Sequence, residues 1–256
     1  MSLHDSPLLN PSQMDEWPYR KWVQLTKTSD EFFKLGLALS GIPRPWMEWA
    51  ERIVVAREKR GTPIVKPLSY RIAILWDGIT HLQEAKFICD TLENALRQLL
   101  VAHCQRHSVT WLELRKCIPR SAEISKRVER NGGSLVTDEQ IVPISFVLNF
   151  TFGETTQLIH KNWDKIAGTE KVKPGFKNVF WHRRRLRDAN YFLREMNHLK
   201  KARNRIAHSN GLFQFQETLG LYVLAERWLE VFDMTLSEKV TRYRSKRPRF
   251  LENISK

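Results

Sequence analysis

The strongest constraint on the fold is a helical repeat running from Tyr70 to about His107 without a proline to interrupt it. Its apolar residues are Ile72, Leu75, Ile79, Leu82, Phe87, Leu92, Leus 96, 99 and 100, three or four apart for the most part. That is the spacing of one helix face, and strict strand alternation is absent. Glu93 and Arg97 stand four apart and can pair along this helix. A helix of this length needs neighbours to cover it, and the rest of the chain supplies further helical segments.

Breakers divide those segments. A helix from about Asp30 to Leu39 stops at Ser40-Gly41-Ile42-Pro43, and another starts with Pro45 in its first turn and runs to about Lys59. Residues 61–69, with Pro63 and Pro67, read as a linker, and residues 1–30, with three prolines, read as loosely ordered. After a polar stretch broken at Asn131-Gly132-Gly133, Pro143 opens an apolar helix expected to continue from Ile144 to about Ile166. Its Gly153 would allow a neighbour to approach closely. A basic loop from Gly168 to Gly175 leads to a helix from about Phe180 to Ala207, and a last helix covers about Glu217 to Arg242. No strand pattern or internal repeat is evident. The expected fold is all-α: a helical N-terminal region over 1–69, a four-helix core over 70–242 and a basic tail over 243–256.

Charge narrows the partners. Forty-two Lys and Arg against 28 Asp and Glu leave a net charge of +14, which favours polyanions through screened attraction and release of phosphate counterions. Nucleic acid is the first candidate and an anionic membrane surface the second. No apolar run reaches the roughly 20 residues that span a bilayer. The opening residues, lacking a basic start and an apolar stretch, predict no signal peptide and a cytoplasmic protein. Cys89, Cys104 and Cys117 are too few and too widely spaced for a disulfide framework or a zinc ribbon, and read as reduced thiols. The histidines show no ligand spacing with acidic partners, so no metal or other cofactor is expected.

One short stretch carries chemistry: Ala202-Arg203-Asn204-Arg205-Ile206-Ala207-His208. It brings a permanent cation, an amide and an imidazole into two helical turns. Imidazole exchanges protons near neutral pH, and guanidinium holds a phosphate by paired hydrogen bonds. Phe192, Met196, Leu199 and Ile206 form the apolar stripe of this helix, and Arg203 falls inside it. A charge there requires a partner or a polar cleft. The structural alternative is a salt bridge, with Glu93 as the candidate partner; for His208 it is a helix C-terminus, where a cation suits the dipole. The spacing of five separates Arg203 from His208 on the helix wheel, so geometry permits a joint site without requiring one.

Arg203-Asn204-Arg205-Ile206-Ala207-His208 resembles the HEPN superfamily motif, an arginine, a polar residue, three further residues and a histidine. Its wording is similar to that of the Abi-like (abortive infection) proteins. The upstream segment from Val142-Pro143 to Phe152-Gly153-Glu154-Thr155-Thr156 is similar to a second segment of that family, in the right order, and the likeness extends over about Tyr70 to Arg242. The family often continues with His-x-Glu, whereas here Ser209-Asn210-Gly211 follows His208. The resemblance implies a HEPN-type helical bundle that forms a homodimer and joins two motif clusters across one cleft. It further implies metal-independent RNA cleavage by 2′-hydroxyl attack, giving 2′,3′-cyclic phosphate and 5′-hydroxyl ends. His208 would carry a proton, Arg203 would stabilise the transition state, and Asn204 would orient one of them. Such an enzyme is expected to act as a toxin or antiphage-defence effector, restrained by an antitoxin protein or a small noncoding RNA.

Arg183, Arg184 and Arg185 in the run His182–Arg187, together with Lys200, Lys201 and Arg205, are the expected RNA contacts, and the tail at Arg242–Arg249 adds to them. A solvated basic face is the alternative for each. Trp17, Trp22, Trp46 and Trp49 serve either packing or base stacking. Two rival functions remain at this stage. One is a HEPN-type dimer that grips RNA without cutting it. The other is a helical DNA-binding regulator, for which no helix-turn-helix pattern is present.

Overall fold

The computed structural model describes residues 17–163, 189–208 and 211–232. Among the described residues there are ten helices and no strand; one isolated antiparallel bridge joins Thr110 and Ile141. The helices are α1 (Tyr19–Val23), α2 (Ser29–Leu39), α3 (Arg44–Lys59), α4 (Pro67–His107), α5 (Trp111–Arg115), α6 (Ser121–Arg130), α7 (Ile144–Val147), α8 (Phe152–Lys161), α9 (Ala189–Ala207) and α10 (Phe215–Phe232). The all-α expectation therefore holds for the described residues. None of these helices is long and apolar enough to cross a membrane.

The chain divides into two compact units. The first takes the chain up to Ala85, and adds Asn204–Thr218; the second takes Lys86–Arg203 and the chain from Leu219 onward. Both α4 and α9 run through a division point as unbroken helices.

In the first unit, α2 begins where the Thr28 hydroxyl accepts the Glu31 N–H at 3.1 Å. This is a threonine N-cap, which satisfies one of the donors a helix start leaves over. Leu35, Leu39, Met47, Ala50, Val54 and Leu75 are fully buried or nearly so and make the core. The closest approach is at Gly78: a Cβ there would come within 2.7 Å of the Trp49 ring and 2.9 Å of Leu212. Only a bare α-carbon lets α4 meet both.

The N-terminal stretch differs from expectation. Residues 19–23 form a helix, and Tyr19 and Trp22 are buried. The reason is polar as well as apolar. The Trp22 indole N–H donates to Glu51 at 2.8 Å, anchoring α1 to α3. Of the four tryptophans, Trp22 is packed, Trp46 and Trp49 are half-buried, and Trp17 is exposed.

In the second unit a core cluster gathers Leu100, Val101, Cys104, Trp111, Leu114, Ile124, Val128, Phe146, Val147, Phe150 and Leu158. Trp111 meets Phe146 edge-on at 4.8 Å. Elsewhere in the unit, Trp163 stacks on Phe192 at 5.0 Å, and Trp228 meets Phe192 edge-on at 5.2 Å.

The expected single helix from Ile144 to Ile166 is two helices. The break falls at Thr151, whose hydroxyl accepts the Glu154 N–H at 3.2 Å while the Glu154 carboxylate accepts the Thr151 N–H at 2.7 Å. This reciprocal capping box starts α8 afresh. The Thr151-x-x-Glu154 spacing is present in the sequence, but Phe146, Val147, Phe150 and Phe152 are all buried, so the apolar pattern runs across the break and suggests one helix. Gly153 does have a close neighbour: a Cβ there would lie 3.5 Å from Lys200 Nζ, an ordinary contact.

Candidate active site

Helix α9 presents Phe192, Met196 and Leu199 to the core of the second unit. Arg203 continues that line one turn on. Its Nε donates to Glu93 Oε2 at 2.8 Å, the pairing that the apolar stripe called for. Glu93 is only 4% exposed and also accepts Arg97 Nη2 at 2.7 Å. Arg97 in turn donates to the Phe150 carbonyl at 2.9 Å, so the carboxylate is itself held in place. One buried negative charge thus faces two guanidinium groups, and the local balance is positive.

The geometry of Arg203 matters more than its pairing. The side chain remains 39% exposed, and among the described residues its terminal nitrogens make no hydrogen bond. Glu93 grips the guanidinium by its Nε and leaves the outer fork open. That fork is the part that binds phosphate oxygens in pairs.

Cys89, one turn before Glu93, is buried. Burial pushes its thiol up to about 12, with Asp90 and Glu93 adding to the effect and Arg203 opposing it. A thiol held neutral in this way is a packing group, not a nucleophile.

The other motif residues belong to the first unit. Asn204 and His208 are exposed, and the His208 N–H donates to the Asn204 carbonyl at 3.0 Å, closing the last turn of α9. His208 is the first residue after the helix, and its imidazole makes no hydrogen bond with the described residues.

Arg205 turns back into the first unit. Its Nη1 donates to Glu217 Oε1 at 2.6 Å, and its Nη2 donates to Glu217 Oε2 and to the Leu212 carbonyl. The guanidinium lies over the Phe213 ring, 4.1 Å from its centre. Glu217 also accepts the Gln214 N–H at 2.8 Å, at the start of α10. Burial raises the Glu217 carboxyl, but the hydrogen bonds from Arg205 and Gln214 outweigh it and hold the group below its usual range.

Lys200 and Lys201 are exposed on α9. Arg183, Arg184, Arg185 and the tail beyond Phe232 lie outside the described residues. Among the described residues, no group of three or more His, Cys, Asp or Glu side chains is placed to hold a metal ion.

Sequence reasoning named Glu93 as a partner for Arg203 and paired Glu93 with Arg97, and both contacts are present. It did not find the Arg205–Glu217 pair. The available signal was Gln214-x-x-Glu217 ahead of an apolar run, the spacing at which a carboxylate reaches back to a helix start. No family model, curated protein or solved structure matches this chain.

Proposed function

We propose that this protein is a metal-independent endoribonuclease of the HEPN type, related to the Abi-like proteins and acting as a homodimer. The observation that carries the reading is the half-gripped guanidinium of Arg203: held through Nε by buried Glu93, on a side chain 39% exposed, with no hydrogen bond to its outer fork among the described residues.

On this reading the fork of Arg203 binds the non-bridging oxygens of a phosphodiester and stabilises the charge that grows on them in the transition state. The ribose 2′-oxygen attacks the adjacent phosphorus, and the new bond forms as the bond to the 5′-oxygen breaks. One proton leaves the 2′-hydroxyl and one arrives at the 5′-oxygen. The two His208 side chains of a dimer divide these tasks as general base and general acid. Asn204, one helical turn before His208, orients the imidazole or a phosphate oxygen. DNA lacks the nucleophile and is spared. Lys200, Lys201 and the Arg183–Arg185 run track the RNA backbone. Such an activity is toxic to its host, which fits a toxin or defence effector held in check by an antitoxin protein or a small noncoding RNA.

Cleavage of labelled RNA tests this directly. Activity is expected to persist in excess EDTA, and the products to carry 2′,3′-cyclic phosphate and 5′-hydroxyl ends, because the substrate supplies its own nucleophile. Loss of cleavage in EDTA with recovery in magnesium overturns the chemistry. Tight binding of RNA without any cutting identifies a non-catalytic RNA-binding dimer instead.

A second expectation follows from charge. Replacing Arg183, Arg184 and Arg185 by alanine should weaken RNA binding. The dependence of log affinity on log salt should flatten by about one unit per lost phosphate contact. Cleavage at saturating RNA should be unchanged. A salt slope that stays at the wild-type value removes these arginines from the RNA path.

A further inference from the structure

We infer that Arg205 is a positioning residue for His208, acting through a clasp that ties the end of α9 to the start of α10; this rests on the reading of His208 as the proton carrier. The His208 imidazole is exposed and has no side-chain partner among the described residues, so its position follows the backbone that carries it. His208 follows the last helical residue of α9. Helix ends fray, because their final carbonyls have no partner within the helix.

Two attachments flank His208. Upstream, its N–H is bonded to the Asn204 carbonyl. Downstream, the chain returns at Gly211, and Leu212 and Phe213 are buried at 0% and 2% exposure. Arg205 joins the two sides. It stands in the last turn of α9 and reaches forward to the Leu212 carbonyl, the Phe213 ring and both carboxylate oxygens of Glu217.

The receiving carboxylate is itself immobile. Glu217 accepts the Gln214 N–H, and the Thr218 N–H and hydroxyl both donate to the Gln214 carbonyl at 3.0 and 3.2 Å. Gly211 has φ +131°, a conformation that side chains disfavour, and a Cβ there would lie 3.5 Å from Trp49 and 3.9 Å from Arg205 Nε. Directly after Gly211, the Leu212 carbonyl accepts from Arg205 and the Phe213 ring lies under its guanidinium. A fork that already makes three hydrogen bonds and lies over the Phe213 ring is poorly placed to bind RNA as well.

The expected consequence is a loss of kcat with little change in KM, since Lys200 and Lys201 do not depend on the clasp. A misplacement of about 1 Å at a reacting group is enough to cost about 100-fold in rate.

The experiment uses full-length Arg205→Ala, Arg205→Lys and Glu217→Gln, and the reversed pair Arg205→Glu with Glu217→Arg. The first measurement needs no RNA: hydrogen exchange at the His208 amide, with amides of α3 and α6 as internal controls. Arg205→Ala should speed exchange at His208 at least tenfold and leave the controls unchanged. The reversed pair should restore only the share of protection that the 205–217 ion pair supplies, because glutamate at 205 cannot donate to the Leu212 carbonyl and arginine at 217 cannot accept the Gln214 N–H. The second measurement is kcat and KM on RNA, where Arg205→Ala should lower kcat by ten- to 100-fold and Arg205→Lys, still able to donate to Glu217, should lower it less.

Unchanged exchange at His208 overturns the clasp, as does an equal acceleration in the controls. A raised KM with unchanged kcat, worsened by glutamate at position 205, makes Arg205 an RNA contact and overturns the positioning role. Faster His208 exchange in a protein whose wild type cuts no RNA leaves the clasp standing and rejects the nuclease reading alone.

Discussion

His208→Ala should lower RNA cleavage by about 10²–10⁴-fold, the usual contribution of a positioned general acid or base. Arg203→Ala should lower it by about 10²–10³-fold, the usual cost of removing one transition-state donor. Both variants should keep the fold, for different reasons. His208 is exposed and its side chain packs no core. Arg203 is paired with a buried carboxylate, yet its loss does not orphan that carboxylate, because Arg97 still donates to Glu93 at 2.7 Å. The stability cost of Arg203→Ala should therefore be far below that of breaking a buried pair, while the catalytic cost is large. Circular dichroism and urea unfolding beside cleavage assays separate the two effects. Wild-type cleavage by His208→Ala would falsify the proposed chemistry. Glu93→Gln supplies the complementary result: it should reduce cleavage by releasing Arg203, because glutamine offers one oxygen where Arg97 and Arg203 each bond a different one, and turns its NH2 towards the other donor.

Glu51→Ala should destabilise the protein by about 3–5 kcal/mol, the cost of leaving a buried charge without its partner. Glu51 is fully buried and accepts from three donors of the first unit: Arg71 by Nε at 2.8 Å and Nη2 at 3.1 Å, the Trp22 indole at 2.8 Å, and Lys21. Arg71 is 1% exposed; besides Glu51 it has the Pro67 carbonyl at 3.2 Å and Glu58 at 3.3 Å. Removing Glu51 takes the two closest carboxylate contacts from buried Arg71, leaving it Glu58 at 3.3 Å and the Pro67 carbonyl, and detaches α1, whose Trp22 loses its acceptor.

The same carboxylate gives a pH dependence. Burial pushes the Glu51 carboxyl up, and the hydrogen bonds from Arg71, Lys21 and Trp22 overcome this and hold it below its ordinary value. A carboxyl lowered in the folded state binds fewer protons there than when unfolded. Its stabilisation is complete above the unfolded value near 4.5 and is lost as the pH falls through the folded value. Urea midpoints from neutral to acidic pH should fall more steeply in the wild type than in Glu51→Gln. A midpoint for Glu51→Ala equal to that of the wild type would show that the network contributes little.

The helical course of the chain was legible because it depends on short-range rules. The stop at Gly41, the start at Pro45 and the long repeat of α4 all follow from backbone freedom and apolar spacing within one or two turns. The α7–α8 break carried a local signal in the Thr151-x-x-Glu154 spacing of a capping box, but the apolar run continues on both sides of it and reads as one helix. Nor was α1, since what holds Trp22 is a carboxylate 29 residues further along the chain.

The motif divides in the same way. The sequence by itself determined that Arg203 would stand in the apolar line of α9 and therefore need a partner or a polar cleft, with Glu93 as the candidate partner in the structural alternative. Helical phase decides such a matter. Only the tertiary structure decided how that partner would be met: through Nε, with Arg97 on the other oxygen of the carboxylate and no hydrogen bond to the outer fork of Arg203 among the described residues. It also decided that Arg205, two residues on, would turn inward to Glu217. A guanidinium on a flexible stem can reach many positions, and which one it takes depends on where folding brings acceptors and ring faces. Helix phase is written locally in the chain; the direction of a long charged side chain is set by groups far away in sequence.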